Sequence, residues 1–575
     1  MSDRAWVATA TACVVAALAV ALGPTAHMAA TWRSAPGWMP AAAALLGVAA
    51  AVVLRRPVIL LVAVVAVVGL RSAVELARLD APVPARVAGE ASLVSDPEPG
   101  PFGTNVVLRL GGRRYRAAVP RALEGVIADL LAGDRVVVAG RTAAFRSAPE
   151  AWRRSRHLAA ELRVDRLERG PPAPVWAAAA NLVRRALDRG ASSFDDQTRA
   201  LYLGLVVGDD RAQSDLEVFR FRASGLGHLL AVSGQNTAFV LTVFTPLLLR
   251  CPLRMRAVVG AAVLGAFVVI TRAEPSVLRA ATMAVIAMVA VSTGRVVTGT
   301  RVLAITVAAL LVVDPLLVHA VGFGLSVGAT IGLLFVSRPL ARRLPGPRPV
   351  RAALATTLAA QLGAAPFMLW LWSSVPAVAP AANLLAVPVA GVVMVLGSSV
   401  GVVAGALRPE LASVVQWPTE LMVRWVDVVA AWASRVPVAP LGPFRFVLAG
   451  ATIGVVLWCT TGGNRSDVVD VRSGAAVRAL PVALGALILC ALVWPPALVP
   501  GRHPVAPGAV LVVSDGGDRR LELTGAARSI ATLEGLHDVA VASLSRIDAP
   551  PGSATADAVA DHVRAARPSG RSPPS

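Results

Sequence analysis

Phe219 to Val240 read FRFRASGLGHLLAVSGQNTAFV, and this stretch decides the fold. His228 and the polar run Ser-Gly-Gln-Asn at 233–236 are set among apolar residues, and the chain beyond them is mostly apolar as far as Leu249. Ionisable and polar groups at bilayer depth are costly, so they usually face a cavity or a partner. Glycines that break a helix at that depth are tolerated only where the backbone lies within protein or lines a cavity. We therefore expect the polar interior of a bundle of membrane helices.

The composition of the whole chain agrees with a polytopic membrane protein. Of 575 residues, 56% are hydrophobic and the mean hydropathy is +0.66, while many apolar runs reach spanning length. The net charge is +20, and all 55 basic residues are Arg. This surplus fits nucleic acid or anionic lipid as a partner, although the positive-inside rule alone also makes membrane proteins basic. The four cysteines have no paired spacing, so we expect no disulfide framework and no zinc site.

The region 83–170 changes character and predicts a small β domain. Alternating stretches predict strands at 87–95, 105–110, 115–119, 135–140 and 161–167, with a hairpin turn at Gly111-Gly112 and a short helix at 121–131. Spans at 5–23, 38–54 and 57–74, with Arg4 and Arg55-Arg56 inside, place this domain outside the cell membrane.

The charge of the β domain leaves two interpretations open. Between 101 and 170 there are 14 Arg against 7 acidic residues. Small barrels bind single strands with a basic groove and stacking aromatics, but aromatics are few here: Phe102, Tyr115, Phe145 and Trp152. A contact with nucleic acid and a merely solvated basic surface are both consistent with this pattern.

Between 175 and 210 the sequence predicts a surface helix and two acidic pairs. The helix at 175–189 carries Arg184, Arg185 and Arg189 on its polar side. Asp195-Asp196 and Asp209-Asp210 follow, and such pairs either bind a cation or cap a helix.

Beyond the opening stretch, apolar spans alternate with basic loops. We expect spans at 257–271, 276–292, 302–313, 321–337, 352–372, 444–459 and 479–499. Residues 374–407 are too long and too rich in Pro and Gly for one regular helix, which predicts a broken or re-entrant segment. Residues 419–435 place Trp425 and Trp432 on one face and predict an interfacial helix or a tilted span.

Twelve residues of the opening stretch carry a family resemblance. Gly225 to Asn236, GLGHLLAVSGQN, resembles the signature of the ComEC-type competence proteins, which move transforming DNA as a single strand across the cytoplasmic membrane. Further motifs match the same family: Pro275-Ser276-Val277-Leu278-Arg279-Ala280, the Gly-Phe-Gly-Leu-Ser element from Gly322, Gln361 with Pro366, and Asn383-Leu384 with Pro388.

The resemblance implies a fold, a function and a set of residues. The expected fold is a polytopic α-helical membrane protein with a small extracytoplasmic OB-like β-barrel domain and a short α/β remnant at the C-terminus. The expected function is inward passage of single-stranded DNA, since a phosphodiester strand needs a wet path, hydrogen-bond donors and small residues. The path residues are His228, Ser233, Gln235, Asn236, Arg279, Ser326, Gln361 and Asn383, and the DNA-contacting residues of the β domain are Arg113, Arg114, Arg116 and Arg141.

Plainer roles compete for these residues. Ser, Asn and Gln in membrane helices often hydrogen-bond to neighbouring helices. Arg279 has Glu274 as a possible structural ion-pair partner, and His228 lies where a helix-breaking hinge could form. Because an intramembrane Arg is expensive, we favour a functional role for Arg279.

The predicted organisation has five parts. N-terminal transmembrane helices occupy 1–75, the OB-like domain 83–170, the competence-type channel domain 175–500, a degenerate metallo-β-lactamase-like remnant 506–565, and a disordered tail 566–575. In the remnant, Ser543 and Ser545 stand where the metal ligands of longer relatives would belong. We therefore expect no metal, no cofactor and no nuclease activity.

The predicted partners follow from what the sequence contains and lacks. The chain has no phosphate-binding Gly-x4-Gly-Lys loop and no Gly-x-Ser-x-Gly around Ser233, so it is neither an ATPase nor a serine hydrolase by motif. We expect single-stranded DNA and the bilayer of the bacterial cytoplasmic membrane as partners, with a DNA receptor outside and a separate ATP-driven motor inside. A secondary transporter of a smaller anionic solute and a non-transporting membrane scaffold are the alternatives.

Overall fold

The computed structural model describes residues 3–22, 57–100, 103–145, 149–230, 232–436, 438–461, 488, 500–514, 518–524, 527–538, 541, 543–550 and 552–565. The predicted spans at 38–54 and 479–499, apart from residue 488, and the predicted disordered tail lie outside these residues.

The N-terminal part contains two helices, a β domain and the helix that follows it. These elements are α1 (Asp3–Leu22), α2 (Pro57–Asp80), β1 (Arg86–Leu93), β2 (Glu98–Gly100), β3 (Gly103–Leu110), β4 (Arg113–Pro120), a 3-10 turn (Arg121–Leu123), α3 (Glu124–Ile127), β5 (Arg135–Ala143), α4 (Glu150–Ser155), β6 (Leu158–Arg169) and α5 (Val175–Gly190).

The central part is helical. Its elements are α6 (Asp196–Val207), α7 (Asp215–Ala223), α8 (Gly227–Leu230), α9 (Gly234–Arg250), α10 (Leu253–Ile270), α11 (Pro275–Ser292), α12 (Gly299–Val313), a 3-10 turn (Pro315–His319), α13 (Val321–Phe335), α14 (Ser337–Arg343), α15 (Arg348–Trp372), α16 (Ala379–Leu396), a π-helical turn (Gly397–Gly401), α17 (Val402–Ala404), α18 (Pro409–Arg435) and α19 (Pro443–Thr461).

The β domain is a small closed barrel. β1 pairs antiparallel with β3 and β5, β3 with β4, and β5 with β6, while β4 and β6 close the ring in parallel. Alternating residues fill the interior, among them Val106, Leu108, Tyr115 and Leu162. The predicted hairpin turn is confirmed, because Gly111 and Gly112 both have positive φ, which glycine adopts without steric cost.

Several helices of the central part are long and apolar enough to cross a membrane. Four such helices lie within the described residues, at Leu253–Ile270, Pro275–Ser292, Arg348–Trp372 and Ala379–Ala404, and the bent pair α13–α14 adds a fifth if it is one span. α13 and α15 pack very closely, since a Cβ on Gly332 would collide with the Ala359 carbonyl oxygen. These helices agree with the multi-helix membrane protein predicted from hydropathy.

The predicted break at 374–407 is located differently. One helix runs from Ala379 to Ala404, with Pro388 inside it and a π-helical turn at Gly397–Gly401. A π-helical turn absorbs irregular spacing without ending the helix. The bend occurs instead between α13 and α14, whose axes differ by 49°.

The C-terminal residues form a compact α/β unit. β7 (Gly501–Ala506), β8 (Ala509–Val513), β9 (Arg519–Leu523) and β11 (Arg546–Asp548) make one sheet, covered by α20 (Ser529–Asp538) and α21 (Ala554–His562), with a second pair β10 (Ser543–Leu544) and β12 (Arg564–Ala565). Phe219 and Ala223 of α7 are buried in the core of this unit. Arg222 of α7 also pairs with Glu534 at 3.4 Å. The unit therefore docks on α7, the helix that immediately precedes the motif Gly225 to Asn236.

Candidate functional site

Arg279 lies at the centre of the predicted path. It sits on the second turn of α11, is 8% exposed, and donates from Nε to Ser326 Oγ of α13 at 2.8 Å. Its Nη1 lies 3.0 Å from Met283 Sδ. No carboxylate lies within ion-pair distance of Arg279 among the described residues. The alternative prediction of an ion pair between Arg279 and Glu274 is therefore wrong. The bundle therefore holds a cation without a countercharge from the described chain.

The first turn of α9 packs against this guanidinium. A Cβ on Gly234 would lie 2.8 Å from Arg279 Nη2 and 3.0 Å from the Ala280 Cβ, so only glycine allows this approach without a shift. Ser276 donates to the Val232 carbonyl oxygen at 2.6 Å and anchors the same turn. Three segments that are remote in sequence thus meet at Arg279.

Ser233, Gln235 and Asn236 line one small cavity beside this turn. Asn236 is buried, accepts a hydrogen bond from Ser233 Oγ at 3.1 Å, and donates to the Leu205 carbonyl oxygen at 3.2 Å. The Gln235 side chain is exposed. The cavity between α9 and α16 measures about 10 Å³, room for about one water molecule. In this conformation the cavity admits nothing larger than a water molecule.

Gln361 and Asn383 occupy a second position. Gln361 Nε2 donates to the Pro376 carbonyl oxygen at 3.1 Å, and Asn383 Nδ2 donates to the Ala379 carbonyl oxygen at 2.8 Å. A Cβ on Gly225 would collide with the Cβ of Ala379, so the start of the opening motif packs against the same turn.

The structure therefore divides the predicted path residues into two groups. Arg279, Ser326, Ser233, Gln235 and Asn236 meet around the first turn of α9. Gln361 and Asn383 hold the turn from Pro376 to Ala379, which supports the neighbouring Gly225. His228 is exposed on α8 and precedes the residues of both groups in sequence.

The four arginines predicted to contact DNA have different surroundings. Arg113 donates to the Pro82 carbonyl oxygen at 2.8 Å and fastens the linker before the barrel. Arg141 pairs with Asp165 at 3.2 Å on the exposed surface. Arg114 donates to the Arg156 carbonyl oxygen at 3.4 Å, and burial lowers the pKa of its guanidinium.

Arg116 belongs to a different arrangement. The guanidinium carbons of Arg116 and Arg156 lie 5.3 Å and 4.9 Å from the ring centroid of Trp152. Phe145 meets the same ring edge-on at 6.4 Å. Tyr115 is buried in the barrel core and is not free to stack. Cation–π pairs of this kind present charge and an aromatic surface together.

A buried ionic junction, which sequence reasoning missed, ties the barrel to the helices. Arg184, 4% exposed on α5, pairs with Asp96 of the barrel at 2.9 Å and with Asp209 at 3.0 Å. Arg272, after α10, pairs with Asp96 at 2.8 Å. The prediction that Arg184 lies on the polar side of a surface helix is therefore wrong.

Charge balance explains why this junction is stable when buried. Burial alone would raise the pKa of Asp96, but Arg184 and Arg272 hold the pKa below its usual value. Asp209 likewise has its pKa lowered despite burial, by Arg211 and Arg184. The two acidic pairs predicted to bind a cation or cap a helix differ. Asp195 caps α6 by accepting a hydrogen bond from the Thr198 N–H, whereas Asp209 neither caps a helix nor joins a metal cluster among the described residues. The only sequence signal was the acidic pair at 209–210.

No group of three or more His, Cys, Asp or Glu side chains suited to a metal is found in the described part of the chain. In the C-terminal unit, Ser545 Oγ donates to the Arg519 carbonyl oxygen at 2.8 Å, and Ile547 is fully buried in the core. These positions serve packing in the described unit.

Fold and site together define a multi-helix membrane protein that carries a small β-barrel domain. The model of a family described as Competence protein matches residues 205–464. The match supports a competence-type family and points to a role in DNA uptake for transformation. No curated protein and no solved structure is similar enough to the chain to count as a match.

Proposed function

We propose that the chain is a channel for inward passage of single-stranded DNA across the bacterial cytoplasmic membrane. The observation that carries the proposal is Arg279, a buried cation with no acidic partner among the described residues, next to a turn of small polar residues. A buried cation without a countercharge costs free energy, so its retention is best explained by a transient anionic partner. The phosphates of a DNA strand are such a partner.

The strand pairings of the barrel support an OB-like assignment. A closed ring in which the third long strand pairs in parallel with the last, with a helix between the third and fourth, is the OB arrangement. In OB folds, the loops between the first two strands and between the last two bind oligonucleotides. Here the first loop holds Asp96, which pairs with Arg184 of α5, and the second holds α4 with Trp152, where α4 contacts the 3-10 turn Pro315–His319 of the helical part. The barrel, extracytoplasmic in this proposal, would deliver a strand to the bundle directly.

In this proposal, partner proteins supply the direction and the energy for DNA passage. The chain lacks a nucleotide-binding loop, so we propose a DNA receptor outside and an ATP-driven motor inside. We also propose that the C-terminal unit is a degenerate metallo-β-lactamase-like remnant without nuclease activity. Strand degradation would then require another protein.

The experiment is uptake of labelled DNA by a strain that carries Arg279→Ala. We expect surface binding of DNA to persist, internalisation to fall by at least about 100-fold, and the protein to remain in the membrane. Arg254→Ala, which removes an exposed Arg at the start of α10, is the matched control and should leave uptake intact. Normal internalisation by a membrane-resident Arg279→Ala protein would refute the channel role of Arg279.

A smaller anionic solute is the second candidate cargo. The observation that favours it is the narrow cavity of about 10 Å³ beside the first turn of α9, because a nucleotide strand would require α9 and α16 to separate. Competition separates the two: excess small anions should leave DNA uptake unchanged if DNA is the cargo.

A further inference from the structure

A cavity of about 420 Å³ opens at the bend between α13 and α14. It is lined by Leu334, Phe335, Arg338, Pro339, Arg342 and Arg343. The apolar helix α13 ends at Phe335, and the basic helix α14 leaves it at an angle of 49°. The cavity therefore lies where an apolar helix gives way to a basic one, the pattern that is typical of a membrane–water interface.

The three arginines of this cavity lack a countercharge in the described chain. Arg338, Arg342 and Arg343 make no ion pair or side-chain hydrogen bond with any described residue. The sequence contains no Asp or Glu from 315 to 409, so no neighbouring turn supplies one. Arg338 and Arg342 are four residues apart and share one face of α14. Such a cluster fits a doubly coordinated phosphate.

The remaining wall of the cavity is apolar. Phe335 is 59% exposed and Ile331, one turn earlier on α13, is 44% exposed, so an apolar strip leads from the arginines along the span. A ligand that combines a phosphate with a long hydrocarbon chain matches both parts. A nucleic acid strand would use the arginines but leave this strip uncovered.

We propose that the cavity binds an anionic phospholipid, with the headgroup phosphate on Arg338, Arg342 and Arg343 and an acyl chain along Phe335 and Ile331. Basic pockets at the ends of membrane helices recognise anionic headgroups. The bound lipid supplies the countercharge that the chain lacks and holds the bend between α13 and α14. Ser326 of α13 accepts a hydrogen bond from Arg279, so the lipid also stabilises the position of a helix that contributes to the candidate site.

The test compares two sets of Arg-to-Gln substitutions in the full chain. The triple variant R338Q, R342Q and R343Q loses the cavity arginines, whereas R348Q with R351Q removes two arginines at the start of α15 that do not line the cavity. Purified proteins are titrated with phosphatidylglycerol or phosphatidylcholine, and bound lipids are counted by native mass spectrometry. We expect wild type and the control variant to retain one phosphatidylglycerol, and the cavity variant to bind it at least about tenfold more weakly.

Three outcomes would overturn the lipid site. They are equal losses in both variants, equal binding of phosphatidylcholine, or displacement of phosphatidylglycerol by a single-stranded oligonucleotide or by inorganic phosphate at lower concentration. The last outcome would assign the arginines to nucleic acid or free phosphate instead. None of these readouts depends on DNA passage, so the lipid site and the channel proposal fail separately.

Discussion

Two buried arginines, Arg279 and Arg184, show how differently the protein treats the same side chain. Arg184 is 4% exposed and has two carboxylates within 3.0 Å, while Arg279 is 8% exposed and has a hydroxyl and a thioether. Buried opposite charges from two domains hold the domains together, because separating them or removing one partner leaves a buried charge without compensation. A buried charge without such partners destabilises the fold, so we expect it only where function requires it.

Removing a carboxylate from the junction should have the largest effect on stability. Asp96→Ala leaves Arg272 without its carboxylate and Arg184 with only one, so we expect a loss of about 3–5 kcal/mol in the free energy of unfolding. Denaturant unfolding of the purified full chain measures it.

The matched control for that change is an exposed ion pair of the same barrel. Asp165→Ala removes the pair with Arg141, whose side chains are 63% and 48% exposed, and should cost less than about 1 kcal/mol. Similar small losses in both variants would show that the junction does not hold the barrel to the helices.

Glu217 of α7 should give the next effect, and it depends on pH. The side chain is 1% exposed, and burial together with the Asp427 carboxylate raises its pKa to about 7. Between about pH 4.5 and pH 7 the folded state therefore keeps a proton on Glu217 that the unfolded state has released. The free energy of unfolding falls as pH rises through this range.

Glu217→Gln should remove that dependence. We expect the variant to be more stable than wild type by up to ~3 kcal/mol at pH 8, and the difference to shrink towards pH 4.5. Unfolding curves at several pH values test this, with the exposed Glu410→Gln as control. A pH profile unchanged by Glu217→Gln would contradict the assignment.

Arg279→Met should separate stability from function. Because the change removes an uncompensated charge from bilayer depth, we expect the free energy of unfolding to rise by about 2–3 kcal/mol while DNA uptake is lost. Thermal unfolding in detergent and uptake in cells are measured on the same variant, beside Arg254→Met. A marked loss of stability would instead make Arg279 a structural centre of the bundle like Arg184.

Trp152→Ala should give the smallest change. The guanidinium groups of Arg116 and Arg156 lie over the half-buried ring, and we expect a base to replace one of them and contribute about 1–3 kcal/mol by stacking. Fluorescence anisotropy of a single-stranded oligonucleotide with the full chain should show about 5- to 150-fold weaker binding. Trp176→Ala, on the exposed surface of α5, is the control and should bind as wild type does. Equal affinities would leave the barrel as a solvated basic domain.

The barrel shows how far local pattern predicts structure. Every predicted strand between 87 and 167 overlaps an observed one, because a period of two and the Gly111-Gly112 turn are local signals. The location of the break was less predictable. Pro388 and the glycines after it suggested an interruption at 374–407, but the helix accommodates them with a π-helical turn, and the real bend follows Phe335.

The sequence by itself determined the membrane class, the order of the elements and the competence-type motifs, since apolar runs and short polar motifs are contiguous in the chain. Only the tertiary structure decided which charges are matched. Asp96 and Arg184 are 88 residues apart, and Phe219 completes a core formed by residues beyond 500. Ion pairs and shared cores depend on which distant segments meet, and no local period encodes that. The contrast between Arg184 and Arg279 therefore became visible only when their neighbours were known.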